Sequence, residues 1–185
     1  MNQLLIAENA NQAKQLSRRC AQKKIRRIYR GIYTEDQQAP IADIIKNNWM
    51  KIASHIVSGG ILSFRTAVDL KPAPFQGGGI VFMTSTYDKM IALPGLVIKV
   101  FKGNNHDYVE QVLPETARSD LARRLLENLT IVRKSAYSGV KTIGIDGVEN
   151  ILAKEMRLRG EKQLNQLRFS AKEVSARLGY ADSNK

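Results

Sequence analysis

The first hydrophobic pattern along the chain has helical spacing. Ala13, Leu16 and Cys20 recur three and four residues apart, which predicts a helix over residues 9–22. Either of two asparagines at its start, Asn9 or Asn11, is suited to cap this helix. The positions between the apolar residues are polar or basic, so one face of the helix is expected to be free of the core.

The next segment, KKIRRIYRGIYTE, is rich in residues that favour extended backbone. Its isoleucines and tyrosines predict two short strands, and Gly31 supplies the positive φ that a tight turn requires. We therefore predict a hairpin that turns at Arg30 and Gly31. Helix and hairpin form a first unit, which we place at residues 1–38.

Helical and strand patterns are mixed in the remainder, residues 39–185. A stripe of isoleucines predicts one helix from Ile41 to about Val57, ended by a glycine pair. The segments ILSF, IVFMTST, LVIKVFK and YVEQVL are typical of strands, and FRTAVDL predicts a short helix that Ser63 caps. The proline- and glycine-rich KPAPFQGGG is predicted to be an exposed loop.

The last third of the chain is predominantly helical. SDLARRLLENL predicts a helix whose leucines face inward, and YSGVKTIGIDG is interpreted as a loop. Two closing helices are predicted on either side of Gly160, with Asp146 as the cap of the first. This order of elements predicts an α+β fold class.

The net charge of +12 favours an anionic binding partner. The stretch from 14 to 30 contains no acid, and its basic residues are Lys14, Arg18, Arg19, Lys23, Lys24, Arg26, Arg27 and Arg30. We interpret it as a nucleic-acid-binding surface, with a solvated basic face as the alternative. Acids interrupt the basic residues between 118 and 134, which indicates ion pairs within a helix.

Catalytic and metal-binding patterns are lacking in the sequence. His55 and His106 have no cysteine or histidine neighbours at metal-ligand spacing. There is no G-x-S-x-G elbow and no phosphate-binding P-loop, and Asp69 lacks the second acid that a nucleotidyltransferase metal pair needs. An RNA binder is disfavoured because no stacking-aromatic pattern is found. We expect a protein that is not an enzyme, with no catalytic residue, cofactor or metal.

The cysteine usage and the N-terminus bear on localisation. The single cysteine, Cys20, excludes a disulfide within the chain, favours a reducing compartment and is interpreted as a small core residue. The first residues, MNQLLIAENANQ, lack the basic start and long apolar run of a signal peptide. No stretch approaches the roughly 20 apolar residues that span a membrane. We expect a cytoplasmic protein without a membrane partner.

Three motifs, in this order, resemble the AbiEi-type antitoxin family of type IV toxin–antitoxin systems. KKIRRIYRGIY is similar to the wing of that family's winged helix-turn-helix, HIVSGGILSFRTAVDL to the segment that follows, and RRLLENL to its Arg-Thr-Leu-Leu-Asp stretch. The likeness covers roughly residues 9–135. The same arrangement resembles the N-terminal region of some bacterial Fic proteins, but the Fic signature is absent, so no AMP-transfer activity is expected.

The resemblance implies a truncated winged-helix-like N-terminal unit, followed by a mixed α/β region and C-terminal helices. Two helices precede the basic helix in that family, so we expect later segments, such as residues 41–57, to take their place. The implied function is a non-enzymatic, DNA-binding transcriptional regulator of antitoxin type, with duplex operator DNA as its partner. The implied DNA contacts are Lys14, Arg18, Arg19, Lys23, Arg26, Arg27 and Arg30.

An alternative function stays open. The protein would then be a protein–protein interaction module that restrains a cognate toxin or a Fic-type enzyme, in the latter case as the N-terminal fragment of a larger Fic protein. In that case residues 39–185, the scaffold and partner-binding region, would carry the function rather than the basic segment.

Overall fold

The computed structural model describes residues 4–130 and 134–180. Within these residues the chain folds into a three-stranded sheet, a seven-stranded sheet and a set of C-terminal helices. The predicted α+β class is confirmed. No helix in the described ranges has the length and apolar character needed to cross a membrane.

The N-terminal unit contains the predicted helix and hairpin. Its elements are β1 (Leu4–Ile6), α1 (Ala10–Ala21), β2 (Arg26–Tyr29) and β3 (Ile32–Thr34). The strands are antiparallel in the order β1-β3-β2, so β3 lies in the centre. Asn9 caps α1, because its side-chain oxygen accepts a hydrogen bond from the backbone N–H of Gln12 at 3.0 Å.

The helix predicted from Ile41 to Val57 is interrupted, and that prediction was wrong. The structure has two helices instead, α2 (Ile41–Asn47) and α3 (Trp49–Ile56). Asn48 lies between them at φ −121° and ψ 17°. Its side-chain amide donates to the carbonyl of Ile44 at 2.9 Å, so the asparagine competes with the backbone and ends α2.

The large sheet is mixed and follows these helices. Its strands are β4 (Ile61–Leu62), β5 (Ala73–Phe75), β6 (Gly78–Ser85), β7 (Lys89–Leu93), β8 (Leu96–Lys102), β9 (Val109–Leu113) and β10 (Thr116–Ser119). The order is β7-β8-β6-β4-β10-β9, with β5 paired to β6. β6 runs parallel to β8 and β4 parallel to β10, while the other pairs are antiparallel. Helix α4 (Phe64–Asp69) follows β4, as predicted.

The exposed loop predicted for KPAPFQGGG is wrong, because this segment forms a hairpin. β5 pairs with the start of β6, and the chain turns at Gln76 and Gly77, both of which have positive φ. Prolines are compatible with β5 because it has a neighbour on one side only. Strands β7 and β10 were also not predicted from the sequence.

The C-terminal helices are α5 (Leu121–Leu129), α6 (Ser138–Lys141), α7 (Gly144–Arg159) and α8 (Glu161–Leu178). Gly160 separates the last two with φ of 78°, as predicted. The segment predicted as a loop contains α6 and the start of α7, so that prediction was wrong. Asp146 lies in the first turn of α7, whose cap position is Ile143, so it is not the predicted cap.

One core cluster joins the N-terminal sheet to the rest of the protein. It contains Ile28 and Ile32 of the hairpin, Ile44 of α2, Ile52 of α3 and Ile98 of the large sheet. These residues are all buried. Helices α2 and α3 therefore share a core with the N-terminal sheet.

A second cluster lies on the opposite face of the large sheet and contains Phe64, Ala73, Ile80 and Phe82. The inward face of α5 differs from the prediction, because Leu125 is buried whereas Leu129 is exposed. The buried side chains of α5 are mostly polar or charged: Ala122, Arg123, Arg124, Leu125, Glu127 and Asn128.

Arg123 and Glu127 form a buried ion pair within α5. The Nε of Arg123 donates to Oε1 of Glu127 at 2.8 Å, and both side chains are almost completely excluded from solvent. The other carboxylate oxygen accepts hydrogen bonds from the Ser119 hydroxyl at 2.7 Å and the Phe64 N–H at 2.9 Å. One carboxylate thus joins α5, β10 and the start of α4.

The remaining nitrogens of Arg123 join this pair to a loop. They donate to the carbonyls of Asp107 at 2.9 Å and Asn104 at 2.6 Å. The Tyr180 hydroxyl lies 3.4 Å from the Glu127 carboxylate, and its burial, reinforced by that charge, raises the pKa of Tyr180. The network therefore also includes Tyr180, which lies just beyond the end of α8.

We predict that Glu127→Ala destabilises the protein by about 3–5 kcal/mol, because it leaves the Arg123 guanidinium buried without its counter-ion. Chemical denaturation measures the change in the free energy of unfolding. The control is Arg159→Ala, which breaks the exposed Arg159–Glu155 pair of α7 and should cost less than about 0.5 kcal/mol. A loss below about 1 kcal/mol for Glu127→Ala would contradict the central role of this pair.

Candidate nucleic-acid interface

Helix α1 exposes a continuous polar face. None of its residues is buried, and Asn11, Lys14, Gln15 and Arg18 are exposed at the spacing that places them on one side of a helix. This face therefore combines two amides with two cations. The apolar stripe on the other side, Ala13, Leu16 and Cys20, is only half-buried, so the prediction that Cys20 is a core residue was wrong.

An open groove of about 1170 Å³ runs beside α1. It is bounded by Leu4 and Leu16 on one side and by Lys51 of α3 and Leu113 of β9 on the other. The groove lies between α1 and the elements α3 and β9, so much of the surface of α1 is accessible to solvent.

The hairpin adds two exposed arginines beside this helix. Arg27 lies on β2 and Arg30 at the turn, and both are exposed. Ile28 and Ile32 of the same hairpin are buried in the main core. The core contacts therefore fix the hairpin while its arginines stay accessible. Gly31 adopts φ of 80°, as the predicted turn requires.

Arg26 has a structural role, in contrast to its predicted role in DNA contact. Its guanidinium donates to the backbone carbonyls of Asp36 at 2.8 Å and of Ala39. The Asp36 carboxylate accepts hydrogen bonds from the N–H groups of Ala39 and Gln38, which lower the pKa of Asp36. Arg26 and Asp36 thus hold the segment that connects β3 to α2.

Arg19 is also engaged within the protein. Its guanidinium pairs with Glu35 at 2.7 Å, and both side chains are about two-fifths exposed. An exposed ion pair of this kind contributes about 0–1 kcal/mol. Breaking the Arg19–Glu35 pair therefore costs little free energy.

The structure leaves the other predicted contacts unengaged by acids. Lys14, Arg18, Lys23, Arg27 and Arg30 are exposed, and in residues 4–130 and 134–180 none of them forms an ion pair. Sequence reasoning missed the amides of Asn11 and Gln15, because it followed charge alone. Their spacing relative to Lys14 and Arg18 was the signal that would have found them.

The second basic set, around α5, is neutralised within the fold. Arg123 pairs with Glu127 as an intrahelical pair, as predicted. Arg118 and Arg124 instead pair with Glu110 of β9, which connects different elements. Arg133 lies outside the described residues. Arg118, Arg123 and Arg124 therefore form ion pairs within the fold.

The other residues that the sequence analysis considered for metal binding or catalysis lie on separate elements of the structure. His55 is half-buried on α3, and His106 is exposed in a turn. Asp69 ends α4, where it accepts a hydrogen bond from Arg65 at 3.0 Å. No group of three or more His, Cys, Asp and Glu side chains that could hold a metal ion is found among the described residues.

No model of a known protein family matches the chain, and no curated protein matches it significantly. The functional argument therefore depends on the arrangement of its own side chains.

We predict that Arg26→Ala destabilises the protein, whereas the neighbouring Arg27→Ala does not. Loss of the Arg26 guanidinium leaves the carbonyls of Asp36 and Ala39 without their donor, at a cost of about 1.5–3 kcal/mol. Arg27 is exposed, so its removal should change the free energy of unfolding by less than about 0.5 kcal/mol. Equal effects of the two substitutions in urea denaturation would refute the distinction.

Proposed function

We propose that the protein is a DNA-binding transcriptional regulator of antitoxin type and that α1 and the hairpin form its interface with duplex operator DNA. The observation that carries the proposal is a set of five exposed cations that form no ion pair within residues 4–130 and 134–180, together with the two amides of α1. The motif resemblance supports the antitoxin class. The proposal assigns no catalytic residue, cofactor or metal.

The exposed face of α1 suits the major groove, which is about 12 Å wide and admits an α-helix. Asn11 and Gln15 carry amides, the groups that bind adenine with two hydrogen bonds. Lys14 and Arg18 carry the donors that bind guanine. A face with both kinds of group supports reading of base edges as well as neutralisation of charge.

The hairpin arginines are placed for contacts to the DNA backbone. Arg27 on β2 and Arg30 at the turn are exposed, as are Lys23 and Lys24 after the end of α1. Contacts of this kind fix the register of a protein on the duplex and gain affinity by releasing counter-ions. Bacterial DNA lies in the cytoplasm, and we place the protein there.

We predict that reversing the charge of four surface cations strongly weakens duplex binding and flattens its salt dependence. The variant is Lys14→Glu/Arg18→Glu/Arg27→Glu/Arg30→Glu. Each lost phosphate contact should reduce the slope of log affinity against log salt concentration by about 0.9. The wild-type slope is therefore expected to be steeper than the slope of the variant by several units. Fluorescence anisotropy with a labelled promoter duplex, titrated at several salt concentrations, measures both quantities.

The matched control reverses four exposed lysines elsewhere and has the same net charge. It is Lys71→Glu/Lys89→Glu/Lys102→Glu/Lys172→Glu, and these side chains are all exposed. The control should keep most of the salt slope and show only a modest loss of affinity through long-range electrostatics. Equal losses in the two variants would show that net charge, not the α1–hairpin surface, governs binding.

A second candidate function is restraint of an acidic protein, such as a cognate toxin or a Fic-type enzyme. The observation that favours it lies on the two closing helices. Leu158 near the end of α7 and Phe169 in the middle of α8 expose 68% and 75% of their surface. The basic residues of these helices between 154 and 172 are Lys154, Arg157, Arg159, Lys162, Arg168 and Lys172, against the acids Glu155 and Glu161. Exposed apolar side chains on basic helices complement an acidic partner.

We predict that Leu158→Ser/Phe169→Ser prevents this second interaction without affecting DNA binding. The measurement is co-expression with each protein encoded by a flanking gene, followed by size-exclusion chromatography. The matched control, Tyr87→Ser/Met90→Ser, alters two exposed apolar side chains on the large sheet and should leave the complex intact. A complex that persists in the Leu158/Phe169 variant places the partner elsewhere.

A further inference from the structure

Strand β1 forms one edge of the three-stranded sheet, because it pairs with β3 alone. The N–H of Ala7 donates to the carbonyl of Gly31 at 2.9 Å, just beyond the paired residues. Hydrogen-bonded and non-hydrogen-bonded residues alternate along an antiparallel pair, so Leu5 bonds to β3 while Leu4 and Ile6 do not. The N–H and C=O groups of Leu4 and Ile6 therefore point outward, away from the sheet.

The outer edge of β1 is suited to receive another strand. Within residues 4–130 and 134–180, nothing forms a hydrogen bond with the outward groups of Leu4 and Ile6. Edge strands are commonly protected by charged residues or proline. The other edge strands in these ranges each carry such a residue: Arg26 and Arg27 in β2, Pro74 in β5, Lys89 in β7 and Glu110 in β9. Strand β1 is Leu-Leu-Ile and has no such protection.

The groove beside α1 follows this edge. It borders Leu4, Leu5 and Ile6 in succession, and consecutive side chains of a strand point to opposite faces, so the groove runs along the edge rather than over one face. Leu16 of α1 and Leu113 of β9 add apolar walls. Its volume of about 1170 Å³ exceeds the roughly 300–1,000 Å³ of small-molecule sites, so the groove has room for a stretch of polypeptide.

The charges that line the groove are mainly acidic. Glu8 and Glu115 contribute two carboxylates, against the single ammonium group of Lys51. All three side chains are exposed, and none of them forms an ion pair with another described residue. On a chain with a net charge of +12, the groove is therefore complementary to a basic segment.

We propose that this groove binds an extended, basic segment of a partner protein, which adds a strand to β1. The backbone of the segment pairs with the outward groups of Leu4 and Ile6. Its alternate apolar side chains pack against Leu16 and Leu113, and a lysine or arginine contacts the two acids of the groove. In strand addition the main-chain hydrogen bonds supply affinity and the side-chain contacts supply specificity. The binding does not require DNA.

The test uses a set of fluorescein-labelled hexapeptides in which valine or leucine alternates with threonine and one end is lysine. Fluorescence anisotropy with the full 185-residue chain should show saturable binding. N-methylation of alternate peptide amides, in the frame that faces β1, should weaken binding at least about tenfold, which corresponds to about 1.4 kcal/mol. Methylation in the other frame should change the affinity little. Failure of the whole set to bind, or equal losses in the two frames, would overturn the proposal.

Amide hydrogen exchange measured by NMR locates the added strand. The peptide should slow exchange of the Ile6 N–H, which points outward, and leave the Leu5 N–H, which already bonds to β3, unchanged. Protection that appears only outside β1 contradicts the proposed site. A dimer in analytical ultracentrifugation that the peptides dissociate would instead assign the groove to a second copy of the chain and overturn the proposal.

Charge reversal in the groove tests the preference for a basic segment. Glu8→Lys/Glu115→Lys should weaken binding of the lysine peptides at least about threefold, because it replaces two attractions with repulsion. The matched control is Glu149→Lys/Glu161→Lys, which has the same net charge and alters two exposed acids of α7 and α8. Equal losses of affinity in the two variants would show that the acids of the groove do not select the segment.

Discussion

The buried pair of Arg123 and Glu127 is the interaction on which the arrangement of the elements after the N-terminal unit depends. Removing two charges from water is costly, so such a pair is retained only with nearly all of its hydrogen bonds satisfied. Here each partner bonds to separate parts of the chain. Among these parts, the start of α4 has a strained backbone, because Phe64 adopts φ of 52°, a conformation that bulky residues rarely adopt. The carboxylate that accepts its N–H holds that strained residue in place.

Helices α2 and α3 and the large sheet in turn hold the basic hairpin of the N-terminal unit in place. Ile28 and Ile32 anchor the hairpin in a core shared with α2, α3 and the large sheet, so its arginines are carried on a packed element. Arg26 and Asp36 secure the connection that follows. Cations held on a rigid support lose less side-chain and backbone freedom on binding than cations on an unstructured tail. This lower cost supports the proposed DNA interface.

Local patterns predicted some of the elements, and contacts distant in sequence explain part of what they missed. The Asn9 cap, the stripe of α1 and the turn at Gly31 are all encoded within a few residues. The hairpin formed by β5 and β6 depends instead on pairing within a large sheet. Charge predicted the cationic segment but not which members are engaged, since Arg19 and Arg26 meet partners more than nine residues away. The burial of Arg123 was likewise not predicted, because its partners besides Glu127 are the carbonyls of Asn104 and Asp107, which lie in a loop 19 and 16 residues away.

The most direct measurement of the central claim is backbone hydrogen exchange with and without a promoter duplex. The account predicts slower exchange on DNA binding in α1 and the hairpin, and unchanged exchange in α7 and α8. Protection confined to the α7–α8 helices, with residues 10–34 unaffected, would contradict a DNA interface formed by the N-terminal unit.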